Sequence, residues 1–244
     1  MIQQVQTLFS KIGNAWLEMV APRHCSICEQ WFETVPHGVS EFICNRCLDS
    51  LTPAPYPDAL LNDLIKHFPG DTLSISNAYS RYLVSPSEER SILNAIHKLK
   101  YQGFSRLGTE FGREVGKTVE FFSRETYTAI VPVPIHHARF RERGYNQAEL
   151  IADGISSVLT LPVWKDVIKR SRYTKTQTTF SATKRTQNVQ GAFAPYKNSN
   201  RLYNANILVV DDVLTTGSTV NTIGQFLLEH GARRIDVATV AKAM

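Results

Sequence analysis

No run in this 244-residue sequence approaches the roughly 18 consecutive apolar residues needed to cross a bilayer. The first residues include Gln3, Gln4, Gln6 and Thr7 instead of a basic start and an apolar block, so a secretory leader is not expected. Internal repeats and low-complexity tracts are absent as well. What these absences leave is a cytoplasmic globular chain, and a hydrophobic fraction of 43% suffices for a real core. Charge is only mildly one-sided, at +5, which by itself selects no partner.

Cysteine is scarce but not scattered. The four residues Cys25, Cys28, Cys44 and Cys47 form C-x2-C, a gap of fifteen residues, and a second C-x2-C. That spacing is the pattern of a four-cysteine zinc site, in which each pair supplies two thiolates to a tetrahedron. With four protein ligands no position stays open, so the Zn2+ expected here is structural and not catalytic. Disulfides are disfavoured in the cytoplasm, and an iron–sulfur cluster is the alternative left open. His24 and His37 are read as bystanders.

The zinc module with its linker is placed at 22–57, ending in the stiff Thr52-Pro-Ala-Pro-Tyr-Pro57. Ahead of it, residues 1–21 carry Ile2, Val5, Leu8, Phe9, Ile12, Trp16 and Val20 at helical spacing, an amphipathic helix with an unidentified partner. Residues 58–244 read as alternating strands and helices. Strands are expected at 73–83, 128–133, 164–169, 207–212 and 234–240. Helices are expected from the Ser85-Pro-Ser-Glu88 start through Leu99, at 105–122, at 145–158 and after Thr219. This alternation predicts an α/β fold with a mostly parallel sheet.

The segment Ile207-Leu-Val-Val-Asp-Asp-Val-Leu-Thr-Thr-Gly-Ser-Thr219 holds the most chemistry. A buried strand ends in two carboxylates, then a hydroxyl-and-glycine loop leads into a helix. Ligands of open α/β sheets bind at such strand ends, and a helix N-terminus attracts phosphate. Asp211 and Asp212 suit vicinal sugar hydroxyls or a Mg2+ shell. The loop Val213, Leu214, Thr215, Thr216, Gly217, Ser218 and Thr219 supplies hydroxyls and a close backbone approach. It lacks the Gly-Lys-Ser/Thr of a Walker A loop, and the G-x-G-x-x-G of a dinucleotide fold is missing.

Basic residues cluster twice. His136, His137, Arg139, Arg141 and Arg143 follow the strand ending at Val131-Pro-Val-Pro134, where forked hydrogen bonds from Arg139 and Arg143 suit a pyrophosphate. Asn146 and Gln147 stand ready as further donors. Lys169, Arg170, Arg172, Lys175, Lys184 and Arg185, with Lys100 elsewhere, suit an anionic ligand or the phosphates of a single nucleic-acid strand, although a solvated basic face explains them equally well.

The acidic-pair loop resembles the phosphoribosyl pyrophosphate (PRPP) motif of type I phosphoribosyltransferases. That resemblance implies Asp211 and Asp212 on the ribose and Thr215 to Thr219 on the 5′-phosphate, with Mg2+ accompanying PRPP. Over nearly its full length the chain resembles the ComF family. The matching features are the paired C-x2-C ribbon, Leu99-Lys-Tyr-Gln-Gly103, Val131-Pro-Val-Pro134 with Arg143-Gly-Tyr-Asn-Gln147, Thr174 and Gln177, Gln187-Asn-Val-Gln-Gly-Ala-Phe193, and the Asp211-Asp212 loop. The resemblance implies a zinc ribbon ahead of a type I phosphoribosyltransferase-like sheet with helices on both faces. It also implies a part in natural transformation, handling incoming single-stranded DNA in the cytoplasm alongside other competence proteins. A phosphoribosyltransferase of nucleotide metabolism with an unidentified acceptor, and a PRPP- or nucleotide-sensing regulator, are the other readings. No segment of the sequence identifies a nucleobase pocket.

Overall fold

A computed structural model describes residues 23–32, 40–68, 72–84, 91–171 and 192–244. The expected N-terminal helix, His37, the Ser85–Glu88 helix start and residues 172–191 lie outside the described residues.

The elements run α1 (Asn45–Ser50), α2 (Pro57–His67), β1 (Asn77–Val84), α3 (Ile92–Tyr101), α4 (Ser105–Phe122), β2 (Ala129–Pro132), α5 (His137–Arg143) and α6 (Gln147–Leu159). Then come β3 (Ile168–Arg170), β4 (Phe193–Pro195), a 3-10 turn (Ser199–Leu202), β5 (Asn206–Leu214), α7 (Ser218–Glu229) and β6 (Arg234–Ala243). Four strands form one parallel sheet in the order β1-β6-β5-β2.

The central strand β5 carries Ile207, Leu208, Val209 and Val210, all fully buried. A strand covered on both faces must be apolar throughout, and each such side chain contributes about 1.5–3 kcal/mol relative to exposure. Alternation splits these residues between two layers. Leu208 and Val210 join Leu107, Phe111, Val115 and Ile151 of α4 and α6, whereas Ile207 and Val209 join Leu60 and Leu64 of α2 and Val220, Ile223 and Leu227 of α7. Helices therefore cover both faces, as expected. The two helices on the first face approach closely because neither carries a side chain at the crossing. A Cβ on Gly112 would lie 2.1 Å from the Ile151 carbonyl oxygen, and one on Gly154 would lie 2.2 Å from that of Thr109.

The cysteine module rests on the first layer, with Ile27 and Ile43 in the same apolar cluster as Ile96 and Leu99. Asn94 Nδ2 donates to the Ile27 carbonyl at 3.3 Å, Lys98 pairs with Glu29 at 3.0 Å, and the Glu41 amide donates to Glu110 at 3.1 Å. The proline-rich stretch after it is no free tether. The Leu83 amide donates to the Thr52 carbonyl at 2.8 Å and the Ala54 amide to that of Arg81 at 3.1 Å, so Pro53 lies antiparallel along the β1 edge. At the opposite edge, the Ile130 amide donates to the Pro162 carbonyl at 2.9 Å and the Trp164 amide to that of Ile130 at 2.8 Å.

Three local expectations are corrected. The basic loop after β2 is the short helix α5, started by His136, whose Nδ1 accepts from the Ala138 amide, and stopped by Gly144 at φ 80°. The strand near 164–169 leaves the main sheet after a single bridge at Val163, and Ile168–Arg170 pairs antiparallel with β4 instead. Helix α2 falls where the sequence pattern gave no element. Leu60, Leu61, Leu64 and Ile65 stand at helical spacing after Pro57, and Leu60 and Leu64 make its buried contacts.

Candidate functional site

The carboxyl end of β5 gathers residues from four directions. From the end of α3, Lys100 Nζ lies 2.8 Å from Asp212 Oδ2, and Asp212 is 8% exposed. The neighbouring Asp211 Oδ1 accepts the Asp212 amide at 2.9 Å. Burial first, and then the Asp212 charge, push the Asp211 carboxyl up to about 7, while Lys100 and Arg170 pull against them. Burial lowers Arg170 below the ordinary guanidinium value, helped by the charge of Arg139 and opposed by Asp211. Asp211, Arg139 and Arg170 thus share one field, with α5 and the end of β3 meeting the acidic strand end.

The loop after the acidic pair opens the N-terminus of α7. Gly217 sits at φ 81°, and no side chain caps the helix, so its first amides are free to meet an anion. A Cβ on Gly217 would come within 2.6 Å of Leu64 Cδ2. The glycine is therefore required by left-handed backbone and by packing against α2, beyond the close anion approach inferred from sequence. Thr216 Oγ1 and Ser218 Oγ are 3.1 Å apart. Beneath the loop lies Lys242, 6% exposed, whose Nζ donates to the Thr215 carbonyl at 2.9 Å and pairs with Asp63 at 2.9 Å.

Several expected site residues have other work. Arg143 donates to the Tyr101 hydroxyl at 3.1 Å and lies over that ring at 4.8 Å, which ties α5 to the end of α3. Asn146 is the cap of α6: its Oδ1 accepts from the Ala148 amide at 3.1 Å and its Nδ2 donates to the Val133 carbonyl at 3.0 Å. Gln147 beside it is 3% exposed. Among the residues grouped as nucleic-acid contacts, Lys100 belongs to the acidic pair and Arg170 to the Asp211 field, while Lys169 Nζ lies 5.5 Å from the centre of the Tyr196 ring. Arg172, Lys175, Lys184 and Arg185 lie outside the described residues.

Lys242 and Asp63 escaped the sequence reading. The available signal was a lone lysine closing the apolar run of β6, at the ligand-side end of a parallel strand.

The second cluster is the four thiols. The sulfurs of Cys25, Cys28, Cys44 and Cys47 lie within 4.8 Å of one another. Amides of Ile27 and Cys44 each point at Cys25 Sγ at 3.4 Å. Burial works to raise the Cys25 thiol, but the amide hydrogen bonds outweigh it and bring the thiol down to about 7, whereas burial raises Cys44 and Cys47, so only part of the group is predisposed to the thiolate that a metal requires. The four donors are of the right kind and close enough to hold one ion, with His24 outside the group.

The family model described as phosphoribosyl transferase domain matches residues 146–244, from the cap of α6 through β6. DNA utilization protein YhgH of Salmonella typhi is 32% identical over 239 residues, covering 95% of this chain and 98% of that protein. The chain belongs to the ComF family. Another relative in the ComF family group, Competence protein F of Haemophilus influenzae, is 41% identical over 115 residues, which is 47% of this chain and 50% of that one. The match therefore spans half the length of that relative. Competence protein ComFC of Bacillus subtilis is 26% identical over 136 residues, 56% of this chain and 53% of that protein. The ComF family chain described here has a type I phosphoribosyltransferase-like fold, a parallel sheet with the acid-bearing strand at its centre, preceded by a four-cysteine module. No described helix is long and apolar enough to cross a membrane.

Proposed function

We propose that this ComF-family protein binds PRPP with Mg2+ at the Asp211–Thr219 loop and serves the utilization of incoming single-stranded DNA in the cytoplasm. The observation that carries the reading is the shared field of Asp211, Asp212, Lys100, Arg139 and Arg170 above an uncapped helix N-terminus. Carboxylates suit the ribose diol, the free amides and hydroxyls of Thr215 to Thr219 suit the 5′-phosphate, and the arginines suit the pyrophosphate. When bound, Mg2+ would neutralise pyrophosphate charge, and Asp211 and Asp212 are the residues fitted to hold its shell. Val213 and Leu214 keep the acidic pair and the loop in register, and Arg143 contributes by anchoring α5 through Tyr101.

The DNA role is supported by the relatives, named for competence and DNA utilization. The four thiols take one structural Zn2+, which fixes the module on α3 and α4. Isothermal titration of PRPP with Mg2+ into zinc-loaded protein tests the first part: saturable heat in the wild type, lost in Asp211→Asn/Asp212→Asn. Absence of heat from folded wild type refutes it. For the second part, fluorescence anisotropy of a labelled oligonucleotide should give an affinity that falls steeply with salt, and a salt-indifferent curve refutes contact through phosphates.

A further inference from the structure

The loop after β5 has a left-handed glycine and no side chain that caps the helix it opens, so its shape has to be held from outside. The residue beneath it is Lys242. In the pairing of β5 with β6, Lys242 lies beside Leu214, the last strand residue before the loop. A buried ammonium is costly unless its hydrogens are taken up. Here all are: Nζ donates to the Thr215 carbonyl and to the Ala243 carbonyl, each at 2.9 Å, and pairs with Asp63 Oδ2 at 2.9 Å. An ammonium has three donors, so none is left for a ligand. Lys242 stands at the ligand-side end of a parallel strand and yet is fully engaged by the protein.

Its three acceptors belong to three pieces of the fold: the loop, the last strand and α2. The hydrogen bond from Lys242 holds the Asp63 carboxyl below the usual aspartate range, so Asp63 is ionised beside the ammonium. Helix α2 meets the loop a second time two residues further on, where a Cβ on Gly217 would lie 2.6 Å from Leu64 Cδ2 and 3.4 Å from Phe68 Cε2. One helix thus grips the loop at both ends of its turn. The direction of that grip follows from the peptide plane. Across a trans peptide, the carbonyl of one residue and the N–H of the next point in opposite directions. With the Thr215 carbonyl drawn down onto Lys242, the Thr216 N–H is turned the other way, out of the protein.

We propose that Lys242 is a positioning residue for this loop: held by Asp63 of α2, it fixes the Thr215 carbonyl and so aims the loop amides at the 5′-phosphate of a phosphoribosyl ligand. Asp63 acts through Lys242 and touches no ligand. The inference deepens the phosphoribosyl reading and rests on it for what the loop binds, but not for how the loop is held.

The test compares the zinc-loaded full chain with three variants. Lys242→Met keeps the length of the side chain and removes its donors, Asp63→Asn keeps an acceptor without the charge, and Lys66→Ala removes an exposed neighbouring cation as a control. Amide exchange is followed first, without ligand. Thr216, Gly217, Ser218 and Thr219 should exchange at least about tenfold faster in Lys242→Met and about threefold faster in Asp63→Asn, with Val209 and Val237 of the sheet unmoved and Lys66→Ala like wild type. Calorimetry with Mg2+ follows, using PRPP, ribose 5-phosphate and pyrophosphate as separate probes. Lys242→Met should weaken PRPP and ribose 5-phosphate by at least about tenfold and leave pyrophosphate, which meets the arginines instead, unchanged. Loop exchange unaltered in both variants overturns the proposal. So does exchange that rises equally in loop and sheet, or pyrophosphate affinity that falls along with that of ribose 5-phosphate, since Lys242 would then only support the fold. If Lys242→Met does not fold, Asp63→Asn carries the same comparisons. If wild type binds neither PRPP nor ribose 5-phosphate, the phosphoribosyl reading fails, and the exchange rates alone decide whether Lys242 sets the loop.

Discussion

Lys100 Nζ and Asp212 Oδ2 are 2.8 Å apart, joining the last turn of α3 to the acidic end of the central strand. Lysine in a last helical turn is ordinary dipole complementation, and read alone it asks for no other role. Here it also neutralises half of a carboxylate pair. Lys100→Met removes a charge that pulls the Asp211 titration down, so that titration should move higher. Carboxyl 13C shifts followed against pH would report it, and an unmoved midpoint would break the assigned coupling.

Asp211 itself makes stability depend on pH. Its folded value, about 7, lies above the ordinary 3.8, so the folded chain holds a proton that the unfolded chain has released between those values. Stability from this group is complete below about pH 4 and is lost as pH rises toward 7. Asp211→Asn should therefore raise Tm by a few degrees at pH 8 and by much less at pH 4. Melts at the two pH values giving equal shifts would contradict this.

Gly217→Ala meets two obstacles, the backbone at φ 81° and Leu64 Cδ2 at 2.6 Å. The substitution should cost about 1–3 kcal/mol in denaturant melts. Adding Leu64→Ala makes room for the methyl but leaves the backbone strain, so the coupling between the two changes should be only partial. Full additivity would mean the contact is not felt.

The four-thiol cluster should carry one zinc per chain by elemental analysis. Cys44→Ser should lose the metal and unfold the module, because a short segment of this kind depends on its ion. Since Ile27 and Ile43 share a layer with Ile96 and Leu99, metal loss should also expose α3 to faster amide exchange. Retained protection in metal-free protein would detach the module's stability from the sheet's.

The parts of the fold governed by period and punctuation were legible in the sequence. The Leu107, Phe111, Val115 and Val119 stripe gave α4 its limits, and the unbroken Ile207–Val210 run gave β5 its place in the middle. The cysteine spacing anticipated a cluster that closes within 4.8 Å. What stayed hidden was pairing between distant residues. Asn146 at a helix start is a local cap signal, but nothing local tells that it also reaches Val133, that Arg143 stacks on Tyr101, or that Lys242 reaches across to Asp63. Polar residues announce chemistry, but which of them are left over for a ligand is settled only by tertiary contacts.

The rims of the sheet have a consequence for life in a crowded cell. A parallel sheet with open sides is a template on which another chain can continue the ladder. Beyond β1 runs Thr52-Pro53-Ala54, and beyond β2 runs Pro162-Val163-Trp164. Each rim segment gives its few hydrogen bonds inward; at the β1 rim the outward-facing residue is Pro53, which has no N–H, whereas at the β2 rim Val163 faces outward. Growth by strand addition is therefore blocked on the β1 side by Pro53, while on the β2 side the rim pairs through a single bridge, too short a template to carry the ladder further.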